Sequence, residues 1–154
     1  MAVPPIPKGY HTLTPYIICK DAAGAIEFYK KAFGATVHMN LADTTGKVMH
    51  ADIIVGDSHI MIADEFPEMG AISPATLGGS CVNLLLYVDD VDAFAKKAVA
   101  AGIKEVRPIA DQFYGDRSGC FIDPYGHQWS IATQKEVLSN QEVEDRFKKM
   151  VTKQ

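Results

Sequence analysis

The chain has 154 residues, of which 47% are hydrophobic and 22% are charged, and its formal net charge at pH 7 is −4. This length and composition suit one globular domain, or two small modules that share a core, and they argue against intrinsic disorder. The acidic balance argues against a nucleic-acid-binding surface, which needs basic residues clustered on one face.

Targeting and membrane signals are not apparent in the sequence. No apolar run approaches the roughly 20 residues that a membrane-spanning helix needs, and the first residues lack the apolar segment of a secretory signal. We therefore expect a cytoplasmic protein that binds neither membrane nor nucleic acid. The three cysteines, Cys19, Cys81 and Cys120, are widely spaced without a C-x-x-C pattern, which suits a reducing compartment. Each is expected to be a small buried hydrophobic residue.

The first half of the chain predicts a strand, a helix and three further strands. Residues 12–19 form the first strand candidate, after a proline-rich arm that disfavours a helix. Asp21 is placed to cap a helix with an apolar stripe through Phe33, and Gly34 is placed to end it. Three strands are then expected at 36–42, 47–55 and 58–64, separated by turn sequences typical of hairpins.

The second half predicts the same order of elements. A strand at 80–88 precedes a helix that is capped by Asp89 or Asp90 and ends at Gly102. The acidic cap and the terminating glycine recur roughly 68 residues after their counterparts, which indicates an internal duplication. The remaining strands are expected at 105–110, 119–122 and 128–133.

Two segments lie outside this repeat. Residues 65–79 contain two prolines and three glycines, which is typical of a lid or a linker. Ser139 and Glu142 form a capping-box pattern that begins a last helix, which we expect to dock on the body, with docking on a second subunit as the alternative. The predicted division is an arm at 1–10, one domain at 11–134 with modules at 11–64 and 80–134, and a C-terminal helix within 135–154.

Three stretches carry a resemblance to a known family: DAAGAIEFYKKAFG at 21–34, VMHADIIVGDSHIMIADE at 48–65, and YGDRSGCFIDPYGHQWSIAT at 114–133. With the repeated order of elements, they resemble the vicinal oxygen chelate superfamily of glyoxalase I, bleomycin-resistance proteins and extradiol dioxygenases, and within it the PhnB-like branch. The resemblance implies an α+β fold in which tandem βαβββ modules form an open cupped mixed sheet, with the helices on its outer face. It also implies a ligand site in the hollow and a homodimer.

The resemblance further implies a metal ligand on the first and the last strand of each module. Those positions fall on Thr14, Met61, Asn83 and Ser130. One amide, two hydroxyls and a thioether bind catalytic divalent ions poorly. We therefore expect no metal and no other cofactor there, and a divalent metal held by other residues remains the alternative.

Strand alternation places further candidates on the cup face. His50 and Asp52 share one face of their strand, so His50 is the candidate general base, with Asp52 beside it. The alternative is a solvated strand face without a catalytic role. His59 shares the cup face with Met61 and is a lesser candidate. Four other side chains are expected to be structural: His11, His38, His127 and the core residue Trp129.

Ligand contacts are expected from aromatic and cationic side chains near the cup. Tyr16, Tyr87 and Tyr114 are the aromatic candidates. Arg117, in a turn next to Tyr114, can grip a carboxylate or a phosphate-like group in bidentate fashion. The alternative for Arg117 is a loop ion pair with Asp116, which would add little stability.

Three functions fit these expectations. The first is a binding protein that holds a small organic molecule in the cup without the usual divalent metal. The second is a lyase or isomerase type of enzyme that uses His50 as a base, or a metal held by His50, His59 and Asp52. The third is an interaction module that acts through its C-terminal helix and sheet edges.

Overall fold

A computed structural model describes residues 3–152 of the chain. Strand β1 (Tyr16–Cys19) leads into helix α1 (Ala22–Phe33). The Asp21 carboxylate accepts the N–H of Gly24 at 2.9 Å, and Gly34 ends the helix with a left-handed φ of 69°, as predicted. Strand β1 begins at Tyr16 instead of residue 12, because Pro15 has no N–H to donate to a neighbouring strand.

The first sheet is completed by β2 (Thr36–Ala42), β3 (Val48–Val55) and β4 (Ser58–Asp64). The strand order is β1-β4-β3-β2, with β1 parallel to β4 and the other pairs antiparallel. The three strands predicted in this segment are confirmed to within one residue. Helix α1 covers the face that carries Ala51 and Ile53, both fully buried. The opposite face carries Asp52 and Met61, and we call it the concave face.

The second module repeats this arrangement with β5, α3, β6, β7 and β8. Their bounds are Asn83–Tyr87, Val91–Ala101, Lys104–Asp111, Asp116–Ile122 and Gln128–Gln134. The strand order β5-β8-β7-β6 matches that of the first sheet, so the α+β class and the tandem modules are confirmed, as two four-stranded sheets. Strand β7 begins three residues earlier than predicted, because the preceding turn is tight: the N–H of Gly115 donates to the carbonyl of Gln112 at 3.1 Å.

The segment between the modules is folded. It contains a 3₁₀ turn at Pro67–Met69 and the short helix α2 (Pro74–Leu77). The Glu65 carboxylate accepts the N–H of Ser73 at 2.7 Å, and Ser73 caps α2 through the N–H of Thr76. Hydrogen bonds from Ser73 and Thr76 lower the pKa of Glu65 to about 2.

The two modules share one core, in which Asp123 is a polar junction. The Tyr29 hydroxyl of α1 donates to Asp123 Oδ2 at 2.6 Å, and Trp129 Nε1 of β8 donates to the same oxygen at 2.8 Å. The Phe33 ring lies 4.8 Å from that of Trp129 and 5.7 Å from that of Phe94 on α3. Trp129 is 2% exposed, which confirms its predicted place in the core.

The last helix, α4 (Asn140–Val151), begins at the predicted capping box of Ser139 and Glu142. Arg146 Nη1 donates to the carbonyl of Phe113 at 3.3 Å, and the Phe147 ring lies 5.8 Å from that of Phe113. The helix therefore docks on the turn between β6 and β7 of the same chain. Within residues 3–152, no helix has both the length and the apolar character needed to cross a membrane.

Candidate functional site

The concave face of the first sheet carries most of the candidates predicted in the first module. In the sheet register, Met61 of β4 lies between Tyr16 of β1 and Asp52 of β3. Alternation places His50 and His59 on this same face. These side chains therefore share one surface of the first sheet.

Asp52 and His59 form the tightest polar pair on this face. His59 Nδ1 donates to Asp52 Oδ1 at 2.8 Å, while Asp52 is 1% exposed and His59 is 8% exposed. Since an ionised carboxylate only accepts hydrogen bonds, the proton of this contact belongs to Nδ1. The other ring nitrogen, Nε2, lies against Gly9 of the N-terminal arm.

Two residues that strand alternation did not predict complete this cluster. The Tyr10 hydroxyl donates to Asp52 Oδ2, and the Tyr10 ring stacks on the His59 imidazole with centroids 3.9 Å apart. This hydrogen bond raises the pKa of Tyr10. The His38 ring meets His59 edge-on at 5.2 Å. We call Tyr10, His38, Asp52 and His59 the Asp52 cluster.

Local sequence patterns do not predict that Tyr10 and His38 belong to the Asp52 cluster. Tyr10 belongs to an arm without periodicity, and its contact with Asp52 spans 42 positions of the chain. His38 lies where the β2–β3 register shifts between Val37 and Met39, and such irregularities defeat simple alternation.

His50 lies on the same concave face but outside the cluster. Its Nδ1 is 3.0 Å from the Tyr16 hydroxyl, and the two rings are 5.5 Å apart. His50 and Asp52, which were predicted as a catalytic pair, therefore contact different side chains. His50 contacts Tyr16, whereas Asp52 contacts His59 and Tyr10.

The sheet register places three candidates from the second module, Asn83, Tyr87 and Ser130, on one face of the other sheet. The Tyr87 hydroxyl donates to Asp116 at 2.8 Å, which raises the pKa of Tyr87. The Tyr114 hydroxyl lies 3.5 Å from Ser118 Oγ. The predicted ligand-binding residues are thus divided between two surfaces, one on each sheet.

Arg117 is placed differently from the prediction. Its Nε and Nη2 donate to Asp92 at 2.7 and 2.9 Å, and its Nη1 donates to Asp111 at 3.1 Å. The alternative of an ion pair with Asp116 is wrong, because adjacent strand residues point to opposite faces. Arg117 points toward α3, away from the face that carries Tyr87. Its two acidic partners raise the pKa of the guanidinium.

The four positions that the family resemblance assigned to a metal do not form a suitable donor set. They are Thr14, Met61, Asn83 and Ser130, two from each module. The Thr14 hydroxyl donates to the His11 carbonyl at 3.3 Å, and Ser130 Oγ lies 3.5 Å from Cys120 Sγ. Hydroxyl, thioether and amide groups are poor ligands for catalytic divalent ions. Residues 3–152 contain no group of three or more His, Cys, Asp or Glu side chains arranged to hold a metal.

Two cavities lie between the modules, near β1 and β5. The smaller, of about 210 Å³, is lined by Thr14 and His59 from the first module and by Leu85 from the second. The larger, of about 800 Å³, is mainly apolar, and its lining includes Ile72 and Leu77 from the segment between the modules. That segment therefore both connects the modules and lines a cavity. Cys81 also lines it and is exposed, contrary to the prediction that every cysteine is buried.

A family model described as the glyoxalase/bleomycin resistance protein/dioxygenase superfamily matches residues 10–131. The chain belongs to this superfamily. The matched region includes the whole Asp52 cluster and both sheets except the last three residues of β8. Superfamily membership is therefore shown.

Relatives of this superfamily member occur in bacteria and plants. An uncharacterised protein of Mycobacterium tuberculosis is 36% identical over 135 residues, which cover 86% of this chain and 79% of the relative. An uncharacterised protein of Arabidopsis thaliana is 28% identical over 127 residues, which cover 78% of this chain and 76% of the relative.

Solved structures share the superfamily fold. TioX from Micromonospora sp. ML1 has a TM-score of 0.66 at 22% identity, covering 80% of this chain and 98% of that chain. The PhnB protein from Bacillus cereus has a TM-score of 0.60 at 16% identity, covering 80% and 99%. The structure of an Arabidopsis thaliana gene product has a TM-score of 0.62 at 28% identity, covering 79% and 96%. PhnB-like neighbours are thus among the similar structures.

Proposed function

We propose that this protein binds a small organic molecule on the concave face of the first sheet, without a divalent metal. The observation that carries the proposal is the Asp52 carboxylate, which is 1% exposed on a sheet face where Tyr10 of the N-terminal arm covers it. A buried carboxylate is costly unless it is hydrogen-bonded. Here His59 and Tyr10 satisfy it, so the face offers one fixed polar anchor.

The surroundings of this anchor support a ligand site. Small-molecule sites are concave and largely apolar, with a few polar groups that orient the ligand. Tyr16 and Met61 lie on the same face, and the cavity of about 210 Å³ has His59 of the Asp52 cluster in its lining. The space and chemistry suit an organic molecule of modest size.

The metal-free part of the proposal rests on the donor chemistry at Thr14, Met61, Asn83 and Ser130. It is tested by elemental analysis of protein purified without chelators. We expect far less than one divalent ion per chain. One tightly held ion per chain would overturn this part of the proposal.

Ligand binding is tested by thermal shift against a panel of metabolites and antibiotics. We expect at least one compound to raise the melting temperature, because a ligand that binds only the folded state stabilises it. Asp52→Asn should weaken that response, whereas Asp145→Asn, which removes the same charge from exposed α4, should preserve it. A flat response of the wild type across the panel would count against the proposal.

The proposal includes a homodimer. Leu85 and Tyr87 on β5 are 53% and 60% exposed, and β2 also leaves apolar side chains uncovered. Apolar patches of this kind are typical of interaction surfaces. Sedimentation equilibrium should give a dimer, and Leu85→Glu should dissociate it while Val3→Glu in the exposed arm should not. A monomeric wild type at micromolar concentration would contradict this assembly.

A lyase or isomerase activity is the second candidate, because two histidines on this face are held in defined orientations. His50 contacts the Tyr16 hydroxyl, and His59 is oriented by Asp52; either ring can act as a base. Any compound that binds is incubated with the protein in D₂O while its C–H signals are followed by NMR. Exchange that His50→Ala abolishes would support His50 as the base, and undiminished exchange in that variant would exclude it.

A further inference from the structure

The N-terminal arm places one of its own side chains in the Asp52 cluster. From residue 3 up to β1 the arm forms neither helix nor strand, and Val3 and Ile6 are exposed. Gly9 adopts a φ of 92°, which side-chain-bearing residues rarely adopt, and its backbone lies against His59. This conformation precedes Tyr10, which leaves the arm and lies on the sheet.

The other members of the cluster hold the Tyr10 phenol in the way that a binding site holds a ligand. The imidazole of His59 stacks on one face of the ring at 3.9 Å, with an interplanar angle of 19°. The buried Asp52 carboxylate accepts the phenol hydroxyl and is itself oriented by His59 at 2.8 Å. The rings of His38 and His59 pack edge-on. All three groups belong to the sheet, whereas their occupant belongs to the arm.

Apart from the Tyr10 side chain, the contacts described for this segment are local or exposed. Within it, the Tyr10 N–H donates to the Pro7 carbonyl at 3.1 Å, which is a local turn contact. The pair between His11 and Asp57 is 3.7 Å long and exposed, so it adds little stability. Terminal segments with few buried contacts open at low cost in free energy.

We infer that Asp52, His59 and His38 form a binding site for a small planar aromatic molecule that carries a hydroxyl group, and that Tyr10 is an internal occupant which such a ligand displaces. The inference rests on the proposed function, because it names the ligand class of the same concave face. The hydroxyl is required because an apolar ring would leave Asp52 Oδ2 without a donor. An aromatic carboxylate is excluded because its anion would lie beside the Asp52 carboxylate.

Chemical rescue tests the inference with three probes: 4-methylphenol, toluene and 4-methylbenzoate. Tyr10→Ala empties the site without touching the sheet, and the imidazole NMR signals of His59 report its occupation. We expect 4-methylphenol to shift those signals saturably and to bind at least about tenfold more tightly than toluene, with no binding of 4-methylbenzoate. In the wild type the same phenol should bind more weakly, since it must displace Tyr10.

Two further variants separate the contribution of ring stacking from that of the hydrogen bond between the hydroxyl group and Asp52. Tyr10→Phe keeps the stacking ring but not the hydroxyl, so 4-methylphenol should bind it with an affinity between those of Tyr10→Ala and the wild type. Asp52→Asn in the Tyr10→Ala background should reduce the preference for 4-methylphenol over toluene. An unchanged preference would show that Asp52 does not select the hydroxyl, which would overturn the inference.

The remaining outcomes distinguish this inference from the proposed function. Equal binding of toluene and 4-methylphenol at His59 would overturn the hydroxyl requirement but leave the concave face as a ligand site. If no aromatic probe binds Tyr10→Ala while panel compounds stabilise the wild type, the inference is wrong and the proposed function stands. If neither the panel nor the probes bind, both are wrong.

Discussion

The ring of Tyr10 lies nearly parallel to the imidazole of His59, with centroids 3.9 Å apart, and its hydroxyl donates to the Asp52 carboxylate. A residue of the arm thus covers a buried acid–histidine pair on the sheet. Asp52 accepts hydrogen bonds from Tyr10, which is 42 positions away in the chain, and from His59, which is 7 positions away on the neighbouring strand. This relationship makes Asp52 the residue on which the local structure depends.

The first prediction concerns the stability supplied by Asp52. Asp52→Ala removes the acceptor of two hydrogen bonds and leaves the His59 and Tyr10 donors without it, so we expect a loss of about 1–3 kcal/mol in the free energy of unfolding. Urea denaturation measures the loss. Asp57→Ala, at an exposed turn, should leave the free energy of unfolding almost unchanged. Equal effects of the two substitutions would contradict the account.

The second prediction concerns Asp123, the polar junction between the modules. Asp123→Ala leaves the Tyr29 hydroxyl and the Trp129 N–H without their acceptor, and it also removes the acceptor of the Tyr125 and His127 N–H groups. We expect a destabilisation of about 2–5 kcal/mol in equilibrium unfolding. Tyr29→Phe, which loses one bond, should cost about 1 kcal/mol. A loss below 1 kcal/mol for Asp123→Ala would show that the junction contributes little.

The third prediction concerns thiol reactivity. Cys19 is fully buried, and burial together with the nearby Asp123 and Asp64 carboxylates raises the pKa of its thiol. Cys81 is exposed. A disulfide reagent at pH 8 should label Cys81 rapidly and Cys19 at least about a thousandfold more slowly, since Cys19 requires opening of the core.

The control for thiol labelling is Cys81→Ser, which should lack the fast phase. Denaturant should make Cys19 in this variant reactive. Rapid labelling of Cys19 in the native protein would contradict its placement in the core.

The fourth prediction concerns pH and the segment between the modules. The pKa of Glu65 lies near 2, below its ordinary value of 4.5, because of hydrogen bonds from Ser73 and Thr76. A carboxyl with a lowered folded-state pKa contributes stability that is present above pH 4.5 and lost as the pH falls toward 2. The hydrogen-exchange protection of the Ser73 amide should fall across this window. In Glu65→Gln the protection should be constant across that range, and a parallel fall in this variant would implicate another group.

The sequence predicted the fold better than the site. Capping by Asp21 and termination at Gly34 are local effects, so they identify α1 without knowledge of the rest of the chain. The alternation around Trp129 predicted its burial for the same reason. The folded segment around Ser73 was missed, because its order comes from the side chain of Glu65, eight positions away.

The site required contacts that no local pattern contains. Alternation placed His50 and Asp52 on one face, but it could not assign Asp52 to His59 instead of His50. Tyr10 was missed because its position depends on how the arm crosses the sheet. Arg117 was expected at a ligand, whereas it binds Asp92 of α3, and that partner is fixed only by the packing of the helix on the sheet.

The central claim, that an organic ligand binds at the Asp52 cluster, is tested most directly by NMR of histidine-labelled protein. A compound that stabilises the wild type is titrated while the imidazole signals of His59 and of His127 are followed. His127 is the internal control, because it is buried and its Nε2 lies 3.0 Å from the Ile18 carbonyl. We predict saturable shifts at His59 with an affinity equal to that from thermal shift, and no change at His127. Saturated binding with unchanged His59 signals would contradict the claim.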